Sequence, residues 1–161
     1  MPTPRVESLI AKLEKGRSKT LQTLRSLVPD QWARIVYPEP LAWNVRDLVA
    51  HFVSAEERLL ELAQDVASGG QGAPAGFDYD AFNAEEQPRL QHNSPEELLQ
   101  ALDKARQATL EWVRTLEDAR LDQMGRHPAL GEVTLETMLT AIYGHHLLHM
   151  RDLQSRLNST G

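Results

Sequence analysis

The sequence predicts an all-α fold, a four-helix bundle, and three observations predict it. Four long segments carry apolar residues at three- and four-residue spacings with charged and polar residues between them. Strand signals are almost absent: no stretch sustains a period-two alternation, and no Asn-Gly or Asp-Gly pair marks a hairpin. Helices of about 20 to 25 residues, with longer connections after the first, second and third, are the parts of a bundle. A length of 161 residues suits one compact domain, here residues 1–161.

The first segment runs from about Thr3 to Val28. Val6, Leu9, Ile10, Leu13, Thr20, Leu24 and Leu27 make its apolar face, and Pro29 stops it. Pro29, Pro38 and Pro40 then predict an ordered but irregular connection as far as Trp43. The second segment starts at Asn44, a good N-cap, with Asp47 complementing the helix N-terminus. Leu48, Phe52, Ala55, Leu59, Leu62 and Val66 form its stripe, with His51 on the same side, and it ends at Ser68-Gly69-Gly70. The loop that follows, GGQGAPAG, lacks the Gly-Lys-Ser/Thr ending of a phosphate-binding loop and reads as a mobile connection. Asp80 to Gln91 suits a short intervening helix.

The third segment has the clearest start in the chain. Ser94-Pro95-Glu96-Glu97 places a capping Ser before Pro at the first helical position and Glu at the third. Leu98, Leu102, Ala105, Thr109, Trp112, Val113 and Leu116 mark its face. The fourth segment begins near Thr134 and continues to about Leu157, with Leu135, Leu139, Ile142, Leu153 and Leu157 on its core side. Trp32, Trp43 and Trp112 read as packing residues, and the acidic residues mostly fall on outward faces.

Composition excludes several classes of function. The 41% hydrophobic and 25% charged fractions are those of a globular protein, not a disordered one. Every long apolar run is broken by charge within a few residues, so no membrane partner is expected. The opening MPTPRVESLIAKLEKGRSK has no apolar core or cleavage site of a signal peptide, and a cytoplasmic location is expected. A net charge of −6, with no basic stripe, argues against nucleic acid as a partner. Without cysteine there is no disulfide, thiolate zinc site, iron–sulfur cluster or Cys nucleophile. No Gly-x-Ser-x-Gly elbow supports a hydrolase triad. Any thiol must arrive as a small molecule, and any metal must be held by His and carboxylates.

Three of the six histidines crowd into HHLLH as His145, His146 and His149. Residues four apart share a helix face, so His145 and His149 can grip one ion together, with His51 of the second segment as a third imidazole. Three neutral imidazoles without thiolate suit Zn, Ni, Fe or Cu rather than Mg or Ca. At 100° per residue, however, His146 sits at the centre of the apolar stripe and His145 at its margin. Periodicity therefore leaves His146 and His149 as an alternative inward pair. His92 and His127, beside polar or Pro residues in predicted loops, read as solvated.

The string WNVRDLVAH, Trp43 to His51, resembles the Trp-x3-Asp/Glu-x3-His entry to the second helix of DinB/YfiT-like metal-binding bundles. HHLLHMRDL, His145 to Leu153, is similar to the same family's His-x3-His-x2-Gln-Ile signature, with Asp152 where Gln is common and Leu153 where Ile is common. Phe82-Asn83 in a short helix, the capped third helix and the loop into Thr134-Leu135 fit the same pattern. The resemblance implies an up-down-down-up bundle holding a divalent metal, commonly Zn or Ni, on His51, His145 and His149. His146 is then a neighbour that packs or orients a ligand. It further implies a homodimer paired through an exposed helix face. Relatives in this family resemble transferases and isomerases that use bacillithiol, mycothiol or glutathione, the mycothiol-dependent maleylpyruvate isomerase branch among them.

Three functions follow. The first is a metal-dependent enzyme that transfers a low-molecular-weight thiol to an electrophile, or isomerises a substrate through a thiol adduct, with no side chain assigned as general base. The second is a metal-dependent hydrolase. The third is a non-catalytic, stress-related metal-binding or interaction bundle.

Overall fold

A computed structural model of the chain describes residues 2–159. Four long helices carry it: α1 (Pro4–Arg25), α3 (Val45–Ala67), α5 (Pro95–Val113) and α6 (Leu135–Asn158), with the short helices α2 (Pro29–Trp32) and α4 (Tyr79–Leu90) between them. The start signals work as the sequence predicts. Asn44 accepts from the Asp47 N–H at 2.9 Å while the Asp47 carboxylate accepts from the Asn44 N–H at 3.1 Å. Ser94 and Glu97 make the same reciprocal pair at 3.1 and 3.0 Å, and Thr134 accepts from the Thr137 N–H at 3.1 Å. Each satisfies an N–H group that the first helical turn leaves without an intrahelical partner.

α1 and α3 each pack against both α5 and α6. Arg5 and Glu136 pair at the starts of α1 and α6, which makes those helices parallel. Glu14–Arg114 at 2.7 Å and Arg17–Asp103 at 2.5 Å run α5 antiparallel to α1. Leu48 and Leu98 lie in one core cluster and Leu62 and Leu110 in the other, so α3 and α5 run parallel. The order is up-down-down-up. A polar layer divides the two apolar clusters at mid-bundle: Glu56, Arg106, Thr109 and His146, all buried, fall between Val53 and Leu62, Leu102 and Leu110, and Ile142 and Met150. No described helix is long and apolar enough to cross a membrane.

Three expectations need correction. The chain does contain strands, in two small antiparallel pairs: β1 (Ile35–Tyr37) with β2 (Trp43–Asn44), and β3 (Met124–His127) with β4 (Gly131–Thr134). They are too short to show an alternation, and the β3–β4 turn uses Gly131 at φ 75° after a three-residue loop instead of an Asn-Gly pair. The glycine-rich loop is docked on β3 and is not a free connection. The Arg126 N–H donates to the Gln71 carbonyl at 2.7 Å and the Ala73 N–H to the Arg126 carbonyl at 2.8 Å. Gly72, at φ 84°, lies so close that a Cβ would stand 2.6 Å from that carbonyl oxygen. His127 is buried rather than solvated, because it closes the hairpin: its Nδ1 accepts from the Ala129 and Leu130 N–H groups at 3.0 and 3.1 Å. His92 is exposed, as expected.

Candidate metal centre

His51 stands in the second turn of α3, which the Asn44–Asp47 cap fixes, and Trp43 lies over its ring at 5.0 Å between centroids. His145 and His149 project from successive turns of α6 toward it. The His145 Nε2 is 2.9 Å from the His51 Nε2 and 3.1 Å from the His149 Nε2. Three imidazole nitrogens thus converge on one point. Bonds of about 2.0–2.1 Å from each nitrogen to a tetrahedral ion would put the nitrogens about 3.3 Å apart. The cluster is near that size, and its all-imidazole chemistry suits a divalent transition metal, so the three side chains could hold one.

The surroundings prepare these nitrogens as electron-pair donors. The His149 Nδ1 lies 2.6 Å from the Tyr37 hydroxyl, which donates to Asp152 Oδ2 at 2.5 Å. With the hydroxyl proton committed to Asp152, the Nδ1 of His149 is the donor to Tyr37 and its Nε2 keeps a lone pair facing the other two rings. Burial holds all three rings in the neutral form. It pushes His51 down to about 3, helped by the charge of His149, while the Asn83 side chain opposes the shift without a hydrogen bond of normal geometry to Nδ1. Burial, then His51 and His149, push His145 down to about 2. His149 is lowered by burial too, against the pull of Asp152. Burial with the Asp152 bond raises the Tyr37 hydroxyl well above its usual range, so it stays protonated.

A cavity of about 900 Å³ opens beside the cluster, and all three histidines line it. Leu41, Trp43, Leu59, Phe77 and Phe82 give it apolar walls, and Arg58, Asn83 and His127 bring polar groups to it. The glycine-rich connection supplies Phe77, and the hairpin before α6 supplies His127, so both long connections border the site. Because its Nδ1 is an acceptor, neutral His127 carries its proton on Nε2, which is buried and has no partner among the described residues.

His146 takes no part in the cluster. It is 5% exposed, stacked on Phe52 at 4.4 Å, with its Nδ1 3.3 Å from an Arg106 nitrogen and its Nε2 3.8 Å from Glu56 Oε2. Arg106 Nε and the Thr109 hydroxyl donate to Glu56 Oε1 at 2.5 and 3.1 Å. Burial raises the Glu56 carboxyl, and Arg106 and Thr109 draw it back. The stripe-centre position of His146 takes it into the core, so the alternative pair of His146 with His149 does not form, and His145 at the margin faces α3. Sequence reasoning missed Glu56 and Arg106, and read the buried His127 as solvated. Glu56 lies four residues after Phe52, and Arg106 four from both Leu102 and Leu110, so charges sit inside apolar stripes. That was the available signal.

The model of the DinB superfamily matches residues 12–153. No curated protein matches the sequence. Among solved structures, the chain is similar to YfiT from Bacillus subtilis, described as a probable metal-dependent hydrolase with an unusual four-helix bundle topology. The TM-score is 0.71 at 19% identity, over 96% of this chain and 89% of that one. It is also similar to the colibactin self-resistance protein ClbS, solved in complex with double-stranded DNA, at a TM-score of 0.74 and 17% identity over 97% of both chains. A third is a mycothiol-dependent maleylpyruvate isomerase, with a TM-score of 0.72 and 18% identity over 92% of this chain but 60% of that one. At these identities the likeness is one of fold.

Proposed function

The chain belongs to the DinB superfamily, and from that premise we propose that it is a metal-dependent enzyme for small molecules. It transfers a low-molecular-weight thiol to an electrophile, or isomerises a substrate through a thiol adduct. The observation that carries this reading is the convergence of three imidazole Nε2 atoms on the wall of a cavity of about 900 Å³. His51, His145 and His149 are the assigned ligands of a divalent ion, zinc or nickel. When bound, such an ion supplies Lewis acidity that favours the deprotonated form of a thiol at neutral pH.

The chain's own residues do the rest. Tyr37 and Asp152 fix the ring orientation and tautomer of His149. The walls of Trp43, Leu59, Phe77 and Phe82 exclude water and house an apolar body. The chain has no cysteine, so the thiol is external: bacillithiol, mycothiol or glutathione. A small molecule, not nucleic acid, is the ligand that a net charge of −6 favours.

The test compares metal-loaded wild type with His51→Ala, using each of the three thiols against a halogenated aromatic or an epoxide. A rate that needs both metal and thiol, and is lost in the variant, is the expected result. Turnover without thiol would favour hydrolysis. No metal-dependent rate with any thiol would leave a non-catalytic metal-binding bundle.

A further inference from the structure

Behind α6 lies a second cavity, of about 340 Å³, between that helix and α1. The α6 residues that line it include Tyr143, Leu147, Met150 and Arg151, on the face opposite His145 and His149 at 100° per residue. It shares no lining residue with the cavity beside the histidine cluster.

Its floor is Arg106 and His146, 2% and 5% exposed. The guanidinium spends its Nε–H on Glu56 and one N–H of NH1 on the Leu13 carbonyl at 2.9 Å, and it directs one N–H of NH2 toward His146. A guanidinium has five N–H groups, so two remain with no protein acceptor among the described residues. Buried donors without acceptors are costly unless something fills the space before them. Gly16 stands where α1 passes over this floor; a Cβ there would be 3.7 Å from Arg106 NH1 and 2.5 Å from the Tyr143 ring. The missing side chain lets the Tyr143 ring pack against α1 at the cavity wall.

The mouth is cationic. Lys15 and Lys19, one turn apart on α1, and Arg151 on α6 border it, and none makes an ion pair among the described residues. None of the described lining residues is acidic, in a chain whose net charge is −6. The Thr20 and Thr23 hydroxyls add donors, and Leu147 and Met150 give an apolar wall.

We propose that the α1–α6 cavity is a second ligand site, which binds a small amphipathic anion: a carboxylate or phosphate ester on a short apolar tail. The free Arg106 N–H groups and the two lysines take the anionic head, and Leu147 and Met150 cover the tail. The site is independent of the metal centre and of the activity assigned to it.

Zinc-loaded protein carrying ¹³C-methyl methionine is titrated with octanoate, octyl phosphate and, as the uncharged control, octanol. Saturable shifts of the Met150 methyl with either anion, and much weaker ones with octanol, are expected; the tighter anion identifies the head group. Lys19→Glu combined with Arg151→Glu should weaken the anion about tenfold, since two attractions become repulsions, while zinc stoichiometry stays unchanged. Equal response to octanol, indifference to charge reversal, shifts at the Trp43 indole instead of Met150, or no saturable shift with either anion would each overturn the proposal. So would a ligand-free dimer that buries Met150 and is broken by the double variant, since the cavity then belongs to a second copy.

Discussion

His145 is half-buried at a cavity wall, with its Nε2 2.9 Å from that of His51 and 3.1 Å from that of His149. His146, one residue on, is inside the polar layer beside Glu56 and Arg106. A rotation of about 100° separates two identical side chains, yet their neighbours give them opposite work. The first region gathers lone pairs that face one another, which is unfavourable without a shared proton or cation. The second sets donors against Glu56 Oε1 and His146 Nδ1, as a structural network does, and leaves Glu56 Oε2 and His146 Nε2 without a hydrogen bond among the described residues. Residue type alone says nothing about which is which.

The largest effect should come from breaking the closed region. Arg106→Met leaves Glu56 buried without its guanidinium, and a loss of about 3–5 kcal/mol in unfolding free energy is expected from denaturant titration. Zinc stoichiometry should hold wherever the variant is folded. Conversely, His51→Ala should abolish zinc binding with little change in the stability of the metal-free protein.

Acid should separate the regions next. In metal-free protein His51 and His145 titrate at about 3 and about 2 when folded, against 6.5 in the unfolded chain. Between those values only the unfolded chain holds the protons. The stability these rings contribute is therefore fully present above about pH 6.5 and declines as pH falls, by about 1.4 kcal/mol per unit for each ring. Urea midpoints from pH 7 to 4.5 check this. Bound zinc should steepen the loss, because protons compete for the same nitrogens. A stability flat across that range would contradict the burial of neutral imidazoles.

A smaller change sharpens the open region. Tyr37→Phe removes the hydroxyl between His149 and Asp152, and a 10- to 100-fold weaker zinc affinity is expected from chelator competition, with helicity unchanged. An unaltered affinity would mean that His149 needs no such support.

The sequence carried the helices well because their start signals are local. The Asn44–Asp47 and Ser94–Glu97 pairs lie three residues apart and can be read without any tertiary knowledge. The histidine spacing in HHLLH was equally local. Missing from that reading was everything set by distant partners. Tyr37 reaches His149 across 112 positions, Arg106 reaches Leu13 across 93, and His127 is buried by a hairpin whose strands are four residues each. The tie between His145 and His146 was of the same kind. Helix periodicity gives the direction of each ring but not what α3 and α5 place in front of it.

The most direct measurement is zinc stoichiometry of His145→Ala and His146→Ala, side by side, by elemental analysis of reconstituted protein with denaturant titration of the same samples. His145→Ala should lose the ion and keep its fold. His146→Ala should bind one zinc per chain while losing stability. A variant pair with the opposite pattern, zinc kept without His145 and lost from folded protein without His146, would contradict the assignment of the two regions.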